Sequence, residues 1–156
     1  MNMMNSEIDP HAPRKAWLGL LAKSPAAEVA RLWAAYGTHP DHSILRAPEI
    51  GGVMVRGRAG AVGAAFNLGE MSVTRASVKL GCGTVGHGYV QGRSKDHALQ
   101  TALIDALMQT DAVTQVEAAI LAPLRKGRDT AKATRAAKAA ATKVVAKERK
   151  IKIHRN

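Results

Sequence analysis

Apolar residues between Pro13 and about Ala22 recur at helical spacing, with Trp17, Leu20 and Leu21 on one face and Pro13 suited to a first helical position. Ser24-Pro25 reads as an N-cap followed by a first-turn proline, with Glu28 near the positive helix end. Val29, Leu32, Trp33 and Tyr36 keep the spacing, and Gly37 supplies a C-cap before the loop Thr38-His39-Pro40-Asp41. The pattern then changes to strands. Residues 43–49 and 52–59 read as a hairpin turning through Ile50-Gly51. The glycine-rich link at 60–63 leads to a long extended run, 64–80, with a kink or bulge expected at Asn67-Leu68-Gly69. Gly81-Cys82-Gly83 turns the chain into a last strand, 84–92. Connections this short predict an antiparallel meander of about four strands.

Ser94 is a natural N-cap for the next helix, with Asp96 in its first turn. In that helix Ala98, Leu99, Ala102, Leu103, Ile104, Ala106, Leu107 and Met108 leave only a narrow polar stripe: Gln100, Thr101, Asp105 and Gln109. A helix apolar almost all round is buried on more than one side. One side fits the sheet; the other fits either a partner subunit or the two N-terminal helices. Residues 113–124 read as a further helix ending near Pro123. Beyond it Ala and Lys dominate, and helix propensity is high from 130 to 149. Ala133, Ala137, Ala140, Ala141, Val144 and Val145 form only a thin apolar stripe, so that helix is marginal on its own in water. The expected fold class is α+β: the meander, flanked by two N-terminal helices and C-terminal helices. The expected division is a core at 1–124 and a basic Ala/Lys-rich helix or tail at 125–156.

Composition alters this picture in two respects. Aromatic residues make up 3% of the chain, so Ala, Val, Leu and Gly must fill the core. Small side chains bury less area each, at about 25 cal/mol per Å², and such a core gains from a partner. The net charge of +11 is uneven: residues 125–156 hold 12 Lys/Arg and 2 acids, residues 1–124 hold 11 and 10. The basicity belongs to the tail. Cys82 is the only cysteine, which rules out an intrachain disulfide and fits a turn residue in a reducing compartment. The N-terminal stretch carries acids and no apolar run, and no segment approaches the roughly 18 uninterrupted apolar residues of a membrane helix. The expectation is a soluble, cytoplasmic protein.

Candidate chemistry is sparse. Residues two apart on a strand share a face, so Val85, His87, Tyr89, Gln91 and Arg93 project together, as do Met71, Val73, Arg75, Ser77 and Lys79. A surface carrying Arg75, His87 and Arg93 suits an anion, because guanidinium grips phosphate or phosphonate bidentately. Arg56 and Arg58 form a second pair. The competing reading is ion pairing with Glu49, Glu70, Asp96 or Asp105, within this chain or across an interface. The candidate anion-binding or subunit-interface residues are therefore Arg75, His87, Gln91 and Arg93, together with Arg56, Arg58 and Asp105. Gly57-Arg58-Ala59-Gly60-Ala61-Val62-Gly63 lacks the Gly-Lys-Ser/Thr ending of a nucleotide phosphate loop and reads as a strand connector. His87 and His97 lie on different elements without metal-ligand spacing, so no metal site is expected. His97, near a helix start, reads as structural. The basic tail has an electrostatic footprint for phosphate backbones but no aromatics to stack bases. A solvated or partner-bound helix explains it as well.

M-S-V-T-R-A-S-V-K-L from Met71, G-H-G-Y-V-Q-G-R at 86–93 and A-L-I-D-A-L-M-Q at 102–109 form an ordered set that resembles the PhnG subunit family of the bacterial carbon–phosphorus lyase system. R-A-P-E-I-G-G-V-M-V-R-G-R-A-G at 46–60 and F-N-L-G-E at 66–70 extend the likeness, and 17–21 and 24–32 carry a weaker echo. About three quarters of the chain is covered; residues after about Leu124 carry no motif that aligns with the family.

The resemblance implies a non-autonomous subunit in organophosphonate catabolism. Its assembly, with partners of the PhnH, PhnI, PhnJ and PhnL types, transfers ribose triphosphate from ATP to an alkylphosphonate. Adenine leaves and ribose 1-alkylphosphonate 5-triphosphate forms. By the same resemblance, nucleosidase-like chemistry goes with PhnI. Radical cleavage of the carbon–phosphorus bond goes with PhnJ, its iron–sulfur cluster and S-adenosylmethionine. ATP is then a substrate of the complex, and no cofactor is expected on this chain, whose single cysteine cannot hold a four-thiolate cluster. Two copies per assembly is an open alternative. The rival function is nucleic-acid binding through the tail.

Overall fold

The computed structural model of the protein describes residues 9–60 and 62–153, with side chains described through 143. The chain divides into two units at Leu124/Arg125. The first begins with α1 (Ala12–Lys23) and α2 (Ala26–Tyr36). Pro13 sits in the first turn of α1, as its spacing predicts. Ser24 does not cap α2. Its hydroxyl donates to the Leu20 carbonyl at 2.7 Å and closes α1 instead, so Pro25 occupies the α2 N-cap position without a side-chain bond. Gly37 ends α2 in the left-handed conformation (φ 71°), its N–H donating to the Trp33 carbonyl.

The sheet has three strands, not four: β1 (His42–Arg58), β2 (Ala65–Leu80) and β3 (Val85–Gln91), antiparallel in the order β1-β2-β3. Ile50-Gly51 is not a turn. Both residues pair with β2, opposite Thr74 and Val73, and β1 runs straight through them. β1 ends at Arg58 and β2 begins at Ala65, so the glycine-rich link connects the two strands as expected. Irregular register between Val55/Gly69 and Arg56/Asn67 leaves Leu68 as an extra residue in β2, the bulge expected there.

Helix α3 (Lys95–Leu107) follows, and the Ser94 hydroxyl accepts from the His97 N–H at 3.2 Å as the predicted N-cap. Every residue from Thr101 to Met108 is buried. The question of what covers the second side of this helix has an internal answer. One side meets β3 and β2; α1, α2 and the start of α4 (Val113–Val116) supply the other. No partner chain is required to bury it. The approach to β3 is close because Gly86 and Gly88 face α3. A Cβ on Gly86 would lie 2.0 Å from the Ala102 carbonyl oxygen, and one on Gly88 would lie 2.0 Å from that of Ala98. The G-H-G motif and the Ala98, Ala102, Ala106 row are therefore two halves of one contact. The main core cluster joins Leu21, Val29, Val78, Ile104, Val116, Ile120 and Leu121.

The helix after residue 113 does not end at Pro123. A π turn at Glu117–Leu121 widens the helix, with the Ala122 N–H donating to the Glu117 carbonyl, and α5 (Ala122–Ile153) continues through the proline. Proline offers no N–H and its ring crowds the carbonyl four residues back, so a widened turn just before it is a direct accommodation. Residues 125–143 of α5, the second unit, are exposed.

Candidate functional site

Asp105 lies in the polar stripe of α3, yet it is 0% exposed. Its carboxylate accepts four hydrogen bonds. Arg14 donates Nε to Oδ1 at 3.1 Å and Nη2 to Oδ2 at 2.7 Å; Trp17 Nε1 donates at 2.9 Å and the His87 backbone N–H at 2.9 Å. A carboxylate has about four lone-pair sites, and all are occupied. Asp105 is thus a fastener joining α1, α3 and β3, buried rather than on the surface. Gln109, also of that stripe, and His97 act in the same way. Gln109 donates to the Val85 carbonyl at 3.0 Å, binding the end of α3 to β3. His97, about two turns before Asp105 at ~3.6 residues per turn, donates Nε2–H to the Leu21 carbonyl at 2.9 Å. Burial holds the His97 imidazole below its usual pKa, partly offset by that carbonyl. Thr101, between them, is fully buried with its hydroxyl unpartnered.

The open face of the sheet holds the other group. Register places Ser77 opposite His87, Arg75 opposite Tyr89 and Val73 opposite Gln91. Arg75, His87 and Gln91 therefore share one solvent-facing surface, as alternation predicts. His87 Nδ1 is hydrogen-bonded to Ser77 Oγ at 2.9 Å. Arg75 is paired across the strands with Glu49, which also accepts from Arg46. The Arg75 guanidinium, then Arg46, hold the Glu49 carboxyl below its usual pKa. Ion pairing within the chain thus applies to Arg75. Arg93 lies past the end of β3, in the bend before α3, and does not continue the alternation. Arg56 and Arg58 are elsewhere again. They pair with Asn67 and Ala65 at the far end of the hairpin. Arg58 is nine residues along β1 from Glu49, about 30 Å at ~3.3 Å per residue. Both are exposed and make no ion pair with any described residue. The sequence-predicted residues hence occupy separate places: an open sheet face, a hairpin end, a bend and the interior.

Arg14 and Trp17 were not singled out as partners of Asp105. The available signal was a carboxylate in an otherwise apolar helix, which demands a buried cation or donor. Among the described residues, no three of His, Cys, Asp and Glu converge as a metal site. Among the described residues, no helix is long and apolar enough to cross a membrane.

The sequence model of the family described as "Phosphonate metabolism protein PhnG" matches residues 12–145. The chain belongs to the PhnG family. A curated relative, the alpha-D-ribose 1-methylphosphonate 5-triphosphate synthase subunit PhnG of Rhizobium meliloti (strain 1021), is 44% identical over 101 residues. That alignment covers 65% of each chain, just under two thirds of the relative's length. The family match also corrects the expectation that the likeness stops near Leu124: it continues to residue 145, through most of α5. Within a PhnG-family chain, the most densely bonded cluster is therefore the Asp105 fastener, whose polar atoms are turned inward.

Proposed function

We propose that this chain is a non-autonomous subunit of a ribose 1-alkylphosphonate 5-triphosphate synthase acting in organophosphonate catabolism. The observation that carries the reading is the 44% identity to a protein named as a subunit of the 1-methylphosphonate 5-triphosphate synthase, within a family match that spans most of the chain. The geometry agrees with a supporting role. Asp105 and Gln109 are engaged in holding elements together, and His97 is buried against the Leu21 carbonyl. In this reading ATP and an alkylphosphonate are substrates of the assembly. Partners of the PhnH, PhnI, PhnJ and PhnL types complete it in the cytoplasm, and the iron–sulfur cluster and S-adenosylmethionine belong to the PhnJ-type subunit. In this reading residues 1–124 are the core domain and 125–156 a basic Ala/Lys-rich helix or tail. The exposed cations Arg56, Arg58 and Arg93, with Arg75, His87 and Gln91, are subunit-contact or anion-contact residues. Nucleic-acid binding, the rival, draws on the charge of the tail alone.

The test is affinity purification of the tagged protein from cells growing on a phosphonate as phosphorus source. The reading expects the other synthase subunits to be retained at defined stoichiometry. A lone, well-behaved monomer in that experiment contradicts it.

A further inference from the structure

The β1–β2 hairpin carries more apolar surface than this chain can cover. Of the large apolar side chains left exposed among the described residues, most lie on this hairpin: Ile44, Leu45, Ile50, Met54, Val55, Phe66 and Leu68 are on its strands. Leu68 is 63% exposed, Met54 60% and Phe66 46%. They are not on one side of the ribbon. Ile50 pairs with the inward-facing Thr74, so Ile50 and Met54 lie on the helix-covered side of the sheet. Val53 and Val55 alternate to the other side. The buried residues of β2 begin only at Val73, so the hairpin beyond it, strand residues 53–58 and 65–72, has no core of its own among the described residues. A two-stranded ribbon in water is marginal, and one apolar on both faces more so. The bulge at Leu68 adds local twist to that unsupported end.

Charge says what kind of surface fits it. Arg56 and Arg58 follow Met54 on the same face of β1, exposed and without an ion-pair partner among the described residues. Glu70, opposite Met54, is the one acid on this part of the ribbon. In a two-fold contact with a second copy of the chain these arginines would meet their counterparts, like charge against like. Residues 125–156 of the chain carry 12 Lys/Arg and 2 acids, too few carboxylates to rim a cleft for these guanidinium groups. A cleft with apolar walls and carboxylates at its rim satisfies both the side chains and the guanidinium groups.

We propose that the hairpin end, with strand residues 53–58 and 65–70, is an insertion arm that enters an apolar, acid-rimmed cleft on a different protein subunit. Arg56 and Arg58 meet carboxylates there, and Met54, Phe66 and Leu68 supply the buried anchors. This rests on the subunit reading above and adds the surface by which the subunit is held.

The experiment co-expresses the tagged full-length chain with the other synthase subunits of the same organism and measures what is retained. Three forms are compared: wild type, Phe66→Asp/Leu68→Asp and Arg56→Glu/Arg58→Glu. Each is checked by circular dichroism for an intact fold. In parallel, a photo-crosslinking amino acid is placed at Met54 or Leu68 of the otherwise native chain. The proposal expects wild type to retain a partner and both double variants to lose at least tenfold of it. The crosslinks should run to a subunit other than this chain. Undiminished retention by folded variants overturns the arm while leaving the subunit reading intact. Crosslinks confined to a second copy, or absent while wild type still retains its partners, do the same. Should an arm variant fail to fold, the crosslinks decide. Failure of wild type to retain any subunit overturns both.

Discussion

Replacing Asp105 with Ala strands three donors at once: the Arg14 guanidinium, the Trp17 indole N–H and the His87 backbone N–H. Removing one member of a buried ion pair costs about 3–5 kcal/mol, because the remaining charge loses its compensation. Arg14 softens this, since its side chain is 32% exposed and can turn toward water. Trp17 Nε1 and the His87 N–H bond the same carboxylate from α1 and β3, and each orphaned neutral donor costs about 1–3 kcal/mol. The expected loss for Asp105→Ala is therefore about 3–5 kcal/mol. Asp105→Asn keeps the volume but offers a single acceptor oxygen, so it retains about half of the bonds and loses about 2 kcal/mol. Arg14→Ala added to Asp105→Ala should cost little more, because the interaction is already gone. Urea unfolding followed by circular dichroism reads all of these. A loss below about 1 kcal/mol for Asp105→Ala, or full additivity with Arg14→Ala, would refute the fastener.

Gly86→Ala pushes a Cβ into backbone atoms of α3, 2.0 Å from the Ala102 carbonyl oxygen. It should cost about 1–3 kcal/mol or more, whereas Gly51→Ala, with open space around it, should stay within about 1 kcal/mol; equal melting temperatures for the two would contradict the close helix–strand contact. Thr101→Val removes a fully buried, unpartnered hydroxyl at nearly constant volume and should be neutral or stabilising by up to about 1 kcal/mol, an outcome that a clear loss on urea unfolding would exclude. Because the folded pKa of His97 lies below its unfolded value of about 6.5, its contribution is present above that value and declines as pH falls through the folded pKa. Unfolding free energies measured from pH 8 down to 5 should drop more steeply for the wild type than for His97→Gln; parallel profiles would show that His97 is not the titrating group.

The helices and their ends were largely legible because their signals are local. Pro13, Gly37 and Ser94 each act within one turn, and the apolar saturation of α3 announced its burial. The strand count failed at Ile50-Gly51, since the Gly51-Gly52 step that follows Ile50 looks the same in a turn and inside a long strand. Only the length of β2 distinguishes them: a run of 16 residues pairs with β1 along its length, with regular register from Glu49 through Val55. Pro123 misled for a similar reason, because its local meaning is "stop" while a π turn upstream lets the helix pass. The polar cluster was half legible. Asp105 stood out in its stripe, but Arg14 and Trp17 lie 91 and 88 residues away, and nothing in the spacing joins them. Alternation placed Arg75, His87 and Gln91 on one face correctly, and lost Arg93 where the strand ended.

The central claim, that this chain serves a multisubunit synthase without being one alone, is tested most directly by omission. The purified synthase subunits are mixed with ATP and methylphosphonate, with and without this chain, and released adenine is measured. The account expects adenine release from the complete mixture, none from this chain alone, and loss of release when it is left out. Undiminished release without this chain, or turnover by this chain on its own, would contradict it.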